Sequence, residues 1–246
     1  MPSSCSASPS TPSSSSSSSS SFSTSSSTHL PSQPCFAEIR QYTLHPSKTE
    51  DFIAATAKTV HLRKQLPFLA MLQCEVGDLN KITHVYLYDD LASRDELRAL
   101  LASKSEWTAE YLPVSRACVA SQTSMLVQVE AEIAADAEEL AAAGATGKRP
   151  GGVFDFTVAP RSLGGGGGGG GDAARALASE RHGGALALRG SVSVGTGGPH
   201  VTVGSHVEVW RFADAAAAVA GRSAADAPAA GVSRQLLRPL PYSPWQ

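Results

Sequence analysis

Charge is scarce in this sequence, and unevenly spread. Charged side chains make up 17% of the 246 residues, below the ~25% of an average soluble protein, and the first 34 residues contain none. With 20 basic against 22 acidic side chains the formal net charge is -2. No basic stripe emerges, which argues against nucleic-acid binding, because that needs clustered Lys and Arg to displace counterions. No apolar run approaches the ~20 residues of a membrane-spanning helix. The four cysteines, Cys5, Cys35, Cys74 and Cys118, lie far apart with no CxxC pair. A zinc knuckle, a redox motif and a dense disulfide framework are therefore unsupported. The seven histidines include no HExxH and no i,i+4 pair, and there is no GxSxG elbow. Gly147-Lys148 lacks the upstream glycine and the following Ser or Thr of a phosphate loop. The unbroken glycine run 164–171 satisfies GxGxxG trivially and is not preceded by a strand. These absences lower the expectation of an enzyme, and they point to no catalytic residue, no metal and no cofactor.

What is present begins with serine. Residues 1–34 hold 19 serines, with Phe22 and Leu30 the only large apolar side chains after Met1. Such a segment cannot bury enough apolar surface to offset the entropy of ordering, so it reads as disordered. Serine enrichment without acid also matches organelle transit segments, yet the first basic residue is Arg40. A cleavable targeting segment and a plain disordered tail both stay open.

From Phe36 the composition changes. Residues 36–44 are rich in strand formers and close at His45-Pro46. Ser47-Lys48-Thr49-Glu50 fits a capping box, after which Phe52, Ile53, Thr56 and Val60 fall on one helical face. Residues 68–76 and 82–88 read as strands joined through the turn Gly77-Asp78-Leu79-Asn80. A second capping box is read at Ser93-Arg94-Asp95-Glu96, and a further short helix carries Trp107 and Tyr111 before Pro113 interrupts it. A strand over 125–129 completes the order β-α-β-β-α-β, the ferredoxin-like plan. The domain plan is a tail over 1–34, a first unit over 35–129, an Ala/Glu/Gly linker over 130–152 and a second unit over 153–246.

The second unit repeats the first in outline. Tyr42-Thr43-Leu44-His45-Pro46 is echoed by Phe156-Thr157-Val158-Ala159-Pro160, and His84-Val85-Tyr86-Leu87-Tyr88 by His206-Val207-Glu208-Val209-Trp210. Ser124-Met125-Leu126-Val127 has its counterpart in Arg234-Gln235-Leu236-Leu237. The glycine run falls where the first helix should begin, and Asp172 is a late N-cap for a shortened helix ending at Gly183. The second unit should be the weaker half, since each glycine inside a helix costs ~1 kcal/mol relative to alanine. The expected class is α+β, with two ferredoxin-like units packing sheet against sheet as a dimeric-type α+β barrel within one chain. Pairing with a second chain is the alternative.

At this point the chain resembles the NIPSNAP family. The carriers are Ile39-Arg40-Gln41-Tyr42-Thr43-Leu44-His45-Pro46, then Gly77-Asp78-Leu79-Asn80 with His84-Val85-Tyr86-Leu87-Tyr88, and finally the Ser243-Pro244 end. The resemblance covers 36–129 well and 152–246 weakly, where no Gly-Asp-Leu precedes His206. It implies dimeric α+β-barrel units, mitochondrial association, and roles in vesicular transport or in recruiting autophagy factors to mitochondria. No established enzymatic activity carries over, although the wider barrel superfamily includes monooxygenases and haem-degrading enzymes.

The candidate ligand-pocket or family-motif residues are Arg40, Tyr42, Asp78, Asn80, His84, Tyr88, Trp107 and His206. His84 shares a strand face with Tyr86 and Tyr88. If the barrel interior lies on that face, His84, Tyr88 and Trp107 could line a pocket. Otherwise His84 bonds to backbone or to Asp78 and steadies the strand-turn-strand, which is the preferred reading. Asp78 and Asn80 are expected to set turn geometry, and Arg40 to meet either an anionic ligand or a neighbouring acid. The expectation is a non-enzymatic, organelle-associated binding or trafficking factor with protein partners. Self-association is open, the mitochondrion is the expected site, and chloroplast or cytoplasm are alternatives. The alternative function is a small-molecule enzyme, or a haem or aromatic-ligand binder, of the monooxygenase type.

Overall fold

The structure, a computed structural model, describes residues 35–129, 131–145, 152–160, 184–196, 202–221 and 232–245. The serine tail, the glycine run and the helix expected from Asp172 lie outside the described residues.

Alternating patterns and short apolar runs build eight strands. The first half contributes β1 (Cys35–Leu44), β2 (Phe68–Val76), β3 (Lys81–Tyr88) and β4 (Val119–Val129). The second contributes β5 (Val153–Ala159), β6 (Ala185–Thr196), β7 (His206–Phe212) and β8 (Ser233–Pro239). They close one antiparallel barrel in the order β1-β3-β2-β8-β5-β7-β6-β4. Within it each half keeps the ferredoxin-like order, β4-β1-β3-β2 and β8-β5-β7-β6.

The class is α+β, as expected, but the way the halves meet differs from two sheets stacked face to face. The sheet edges hydrogen-bond to one another, β2 to β8 and β4 to β6. Edge pairing satisfies the backbone donors and acceptors that two separate sheets would leave open. Strand β6, which no sequence pattern singled out, supplies one of these seams.

One face of the strands points inward. Ile39 of β1, Val85 and Leu87 of β3, Val127 of β4, Phe154 and Phe156 of β5, and Val207 and Val209 of β7 share a single buried cluster. Helix α5 (Ala131–Ala145), in the stretch expected as a linker, adds Ala134, Ala137 and Leu140 to that core. Trp245 joins them, fully buried, its ring 5.5 Å from that of Phe154 and its indole N–H donated to the Ala137 carbonyl at 3.0 Å. Residues 240–245 are tied along β2, with Leu240 N–H to the Met71 carbonyl and Trp245 N–H to the Leu69 carbonyl, each at 3.0 Å.

The outer face of the first half is covered by α1 (Thr49–Lys58), α2 (Val60–Arg63), α3 (Leu91–Ala102), a π-helical turn (Glu106–Tyr111) and α4 (Leu112–Cys118). A second cluster, including Phe52, Phe68, Ile82, Tyr86 and Tyr88, fills this layer. The capping expectations shift. A 3-10 turn at Pro46–Lys48 moves the start of α1 to Thr49, so Ser47 does not cap it. Helix α3 is capped by Asp90, whose carboxylate accepts from Ser93 N–H at 2.7 Å. Pro113 does not stop the helix. It sits in the first turn of α4, where its missing N–H costs nothing.

Candidate functional site

A cavity of about 770 Å³ opens between the outer face of β1 and β3 and the helical layer, within the range of small-molecule sites. Four arginines line it: Arg40 from β1, Arg63 from the end of α2, Arg98 from α3 and Arg116 from α4. Tyr42, Tyr86 and Tyr88 project from the strands, and Trp107 and Tyr111 come down from the π turn. The turn is wider than an α-helical one, so residues four apart lie nearly above each other. Trp107 and Tyr111 accordingly stack with ring centroids 4.5 Å apart. No carboxylate is among the lining residues.

Charge compensation is unequal around this wall. Glu38 of β1, fully buried on the same strand face as Arg40, accepts from Arg94 at 2.8 Å and from Arg40 and Arg98 at 3.1 Å each. Burial would raise its carboxyl pKa, but the three guanidinium groups outweigh that and hold it below the ordinary value. Arg63 has no such partner: among the described residues no carboxylate pairs with it. It is buried, donates from Nη1 to the Tyr86 hydroxyl at 2.6 Å and from Nη2 to the Tyr111 hydroxyl, and lies 4.9 Å over the Trp107 ring and 4.8 Å over that of Tyr111. Its Nε has no hydrogen-bond partner. A buried cation held by phenols, a neutral imidazole and ring faces, with no carboxylate, is a site prepared for a negative charge.

The expected residues fall into four groups. Arg40, Tyr42, Tyr88 and Trp107 come together in the cavity wall. His84 is fully buried one layer behind, with Nδ1 3.5 Å from Arg63 Nη1 and its ring 4.7 Å from that of Tyr42. Its strand face is the helix-covered one, and the barrel interior lies on the face of Val85 and Leu87. Burial, with Arg63 and Arg40 nearby, pushes its pKa well below the ordinary histidine value, so it is neutral. Asp78 and Asn80 lie in the β2–β3 turn. Asp78 accepts from Lys81 at 2.6 Å and from Gln235 at 3.1 Å, and Asn80 takes φ 59 while its carbonyl accepts from Leu44 N–H. His206 is in the second half, 3.5 Å from Glu208.

Sequence reasoning missed Arg63, Tyr86, Tyr111, Arg98 and Arg116. Arg63 reads as an ordinary basic residue at a helix end, and only the packing of α2 against β3 shows that it is buried. Among the described residues no group of three or more His, Cys, Asp or Glu side chains is placed to hold a metal ion.

A family model, NIPSNAP, matches residues 37–131. The Homo sapiens Protein NipSnap homolog 3A is 34% identical over 91 residues, which cover 36% of this chain and 37% of that protein. The Mus musculus Protein NipSnap homolog 3B is 35% identical over 83 residues, covering 33% and 34% respectively. The chain thus spans little more than a third of the length of the relatives it matches. Among solved structures, an anthrone oxidase-like protein superimposes with a TM-score of 0.52 over 84% of this chain and 92% of that one, at 12% identity. That likeness extends over both halves and concerns the barrel fold. The sequence likeness lies in the first half, where the Arg- and Tyr-lined cavity is: residues 37–131 match the NIPSNAP family model and are similar in sequence to the NipSnap homologs.

Proposed function

We propose that this chain is a non-enzymatic, organelle-associated NIPSNAP-type factor that works by binding, with a small-molecule site in its first half. The supporting observation is the cavity itself. Its polar wall is made of arginine and tyrosine, side chains suited to holding a ligand, while the one histidine nearby is neutral and sits behind the wall. A role in vesicular transport or mitochondrial quality control, with trafficking or autophagy proteins as partners, belongs to the same reading. So do peripheral membrane attachment and self-association. No helix among the described residues is long and apolar enough to cross a membrane.

The test is a fluorescent fusion of the full chain against one starting at Pro34, imaged with a mitochondrial marker, followed by partner capture from the organelle. Mitochondrial signal that depends on the first residues, with trafficking or autophagy proteins captured, is the expected result. Diffuse signal from both fusions would refute the organelle assignment.

A second reading, a small-molecule enzyme acting on an aromatic substrate, draws on the five aromatic rings in the wall. Its haem form has no support from His84, which does not line the cavity. Turnover by the purified chain that disappears in Tyr86→Phe would favour this reading over the first.

A further inference from the structure

We infer that the cavity takes a planar aromatic carboxylate, and that the hydroxyls of Tyr86 and Tyr111 hold its anionic group while Arg63 positions and polarises them. The inference rests on the cavity being a ligand site, as proposed above.

The donor count carries it. Arg63 donates one hydrogen from each terminal nitrogen to a phenol oxygen, from Nη1 to Tyr86 and from Nη2 to Tyr111. A phenol oxygen that accepts a hydrogen bond still has its own hydrogen to give. Tyr111 also accepts from Thr56 at 3.4 Å, so its hydrogen too is directed elsewhere. Among the described residues neither hydroxyl has an acceptor, and both residues line the cavity. Burial raises the Tyr86 pKa although Arg63 works against it, which keeps the proton on at neutral pH. Two polarised O–H donors flanking one guanidinium match an acceptor with two oxygens and a negative charge.

The rest of the wall fixes the class of ligand. Arg40, Arg98 and Arg116 add positive charge, the lining holds no carboxylate, and Glu38, beside Arg40 on β1, offsets Arg40 and Arg98. The aromatic side chains of Trp107, Tyr111, Tyr42 and Tyr88 in the lining favour a flat, aromatic body. The cavity volume of about 770 Å³ admits several fused rings. Arg63 is then a positioning residue, because the anion meets the phenols.

The test uses the full chain titrated by calorimetry with anthraquinone-2-carboxylate and with its neutral carboxamide. The carboxylate is expected to bind at least tenfold more tightly. Tyr86→Phe and Tyr111→Phe should each weaken it roughly ten- to a hundredfold, the range for one charge-assisted hydrogen bond, and leave carboxamide affinity within about twofold. Unchanged carboxylate affinity in both variants would overturn the assignment, because the guanidinium itself would then hold the anion. A carboxamide binding as tightly as the acid would overturn the anion preference while the cavity stayed a ligand site. Binding of neither probe at about 1 mM would sink the ligand-site reading as well. Should either variant fail to fold, ring-carbon NMR of 13Cζ-tyrosine in the unmodified chain decides. Two tyrosine signals shifting with the acid and not with the amide support the inference, and no such shift overturns it.

Discussion

Truncating Trp245 tests how the barrel is closed. Trp245 is fully buried in the same cluster as Phe154, Ala137 and Leu140. Trp245→Ala removes the indole from its place against the Phe154 ring, and its N–H from the Ala137 carbonyl. Buried Trp-to-Ala changes cost about 3–5 kcal/mol. For a protein of this size each kcal/mol moves Tm by about 2–4 °C, so the variant should melt about 6–20 °C lower. Trp245→Phe keeps one ring but loses the N–H and part of the indole volume, together about 2 kcal/mol, and should melt about 4–8 °C lower. The assay is thermal unfolding followed by near-ultraviolet circular dichroism. An alanine variant melting within 2 °C of the unmodified protein would refute the claim that the terminal segment is part of the core.

Four further outcomes follow from the same geometry. A Cβ at Gly190 would sit 2.1 Å from the Gln128 carbonyl across the β4–β6 seam, so Gly190→Ala should cost about 3 kcal/mol and lower Tm by about 6–12 °C. An unchanged melt would mean that the seam is looser than described. Glu38 has a folded-state pKa below its ordinary value, so the stability its ion pairs contribute is present above the unfolded value, about 4.3, and is lost as pH falls through the folded one. Melts from pH 6 to 3 should therefore fall less steeply in Glu38→Gln. Glu208, also held low, keeps some slope, and parallel curves would refute the assignment to Glu38. Asp90→Ala removes the cap of α3 and should lower Tm by about 2–4 °C, whereas Ser47→Ala, at the site expected from sequence, should not change it. Hydrogen exchange should protect β5 and β7 much as it protects β1 and β3, because both seams and one shared core tie the halves together. Markedly faster exchange in the second half would restore the expectation of a separately weak unit.

The two halves use one strand plan for different outer-face chemistry. His84, Tyr86 and Tyr88 on β3 share a face, and His206, Glu208 and Trp210 share the corresponding face of β7. Where the Tyr86 hydroxyl accepts a hydrogen bond from Arg63, which no carboxylate among the described residues pairs, Glu208 accepts from Arg189 at 3.1 Å and from the Trp210 indole at 3.0 Å. Burial would raise the Glu208 pKa, but its contacts with His206, Trp210 and Arg189 hold it low. The charge there is closed within the protein. In the first half the positive charge of Arg63 is left for something else to meet.

The pattern of residues along the chain by itself determined the strands of the first unit, because alternation over 36–44 and 82–88 and a run of strand length over 68–76 are local signals. It determined the echo at His206–Trp210 for the same reason. It also brought Arg40, Tyr42, Tyr88 and Trp107 forward, since aromatic and basic residues on a strand face or a short helix stand out in a sequence poor in both. Local signals could mislead by a few residues: Ser47 and Ser93 both look like caps, and Asp90 prevails because its carboxylate reaches the Ser93 amide. Only the tertiary structure decided which face of β3 is the interior, because Val85 and Leu87 are as apolar as the opposite face is aromatic. It alone made a core helix of the alanine-rich connector, by laying Ala134, Ala137 and Leu140 against partners distant in sequence. The site depends on tertiary structure most of all. Arg63 is an unremarkable helix-end arginine until α2 packs it against Tyr86 and the π turn lowers Trp107 and Tyr111 over it. Burial without a counter-charge, the property that makes it a candidate anion site, is set by neighbours 23 and 48 residues away.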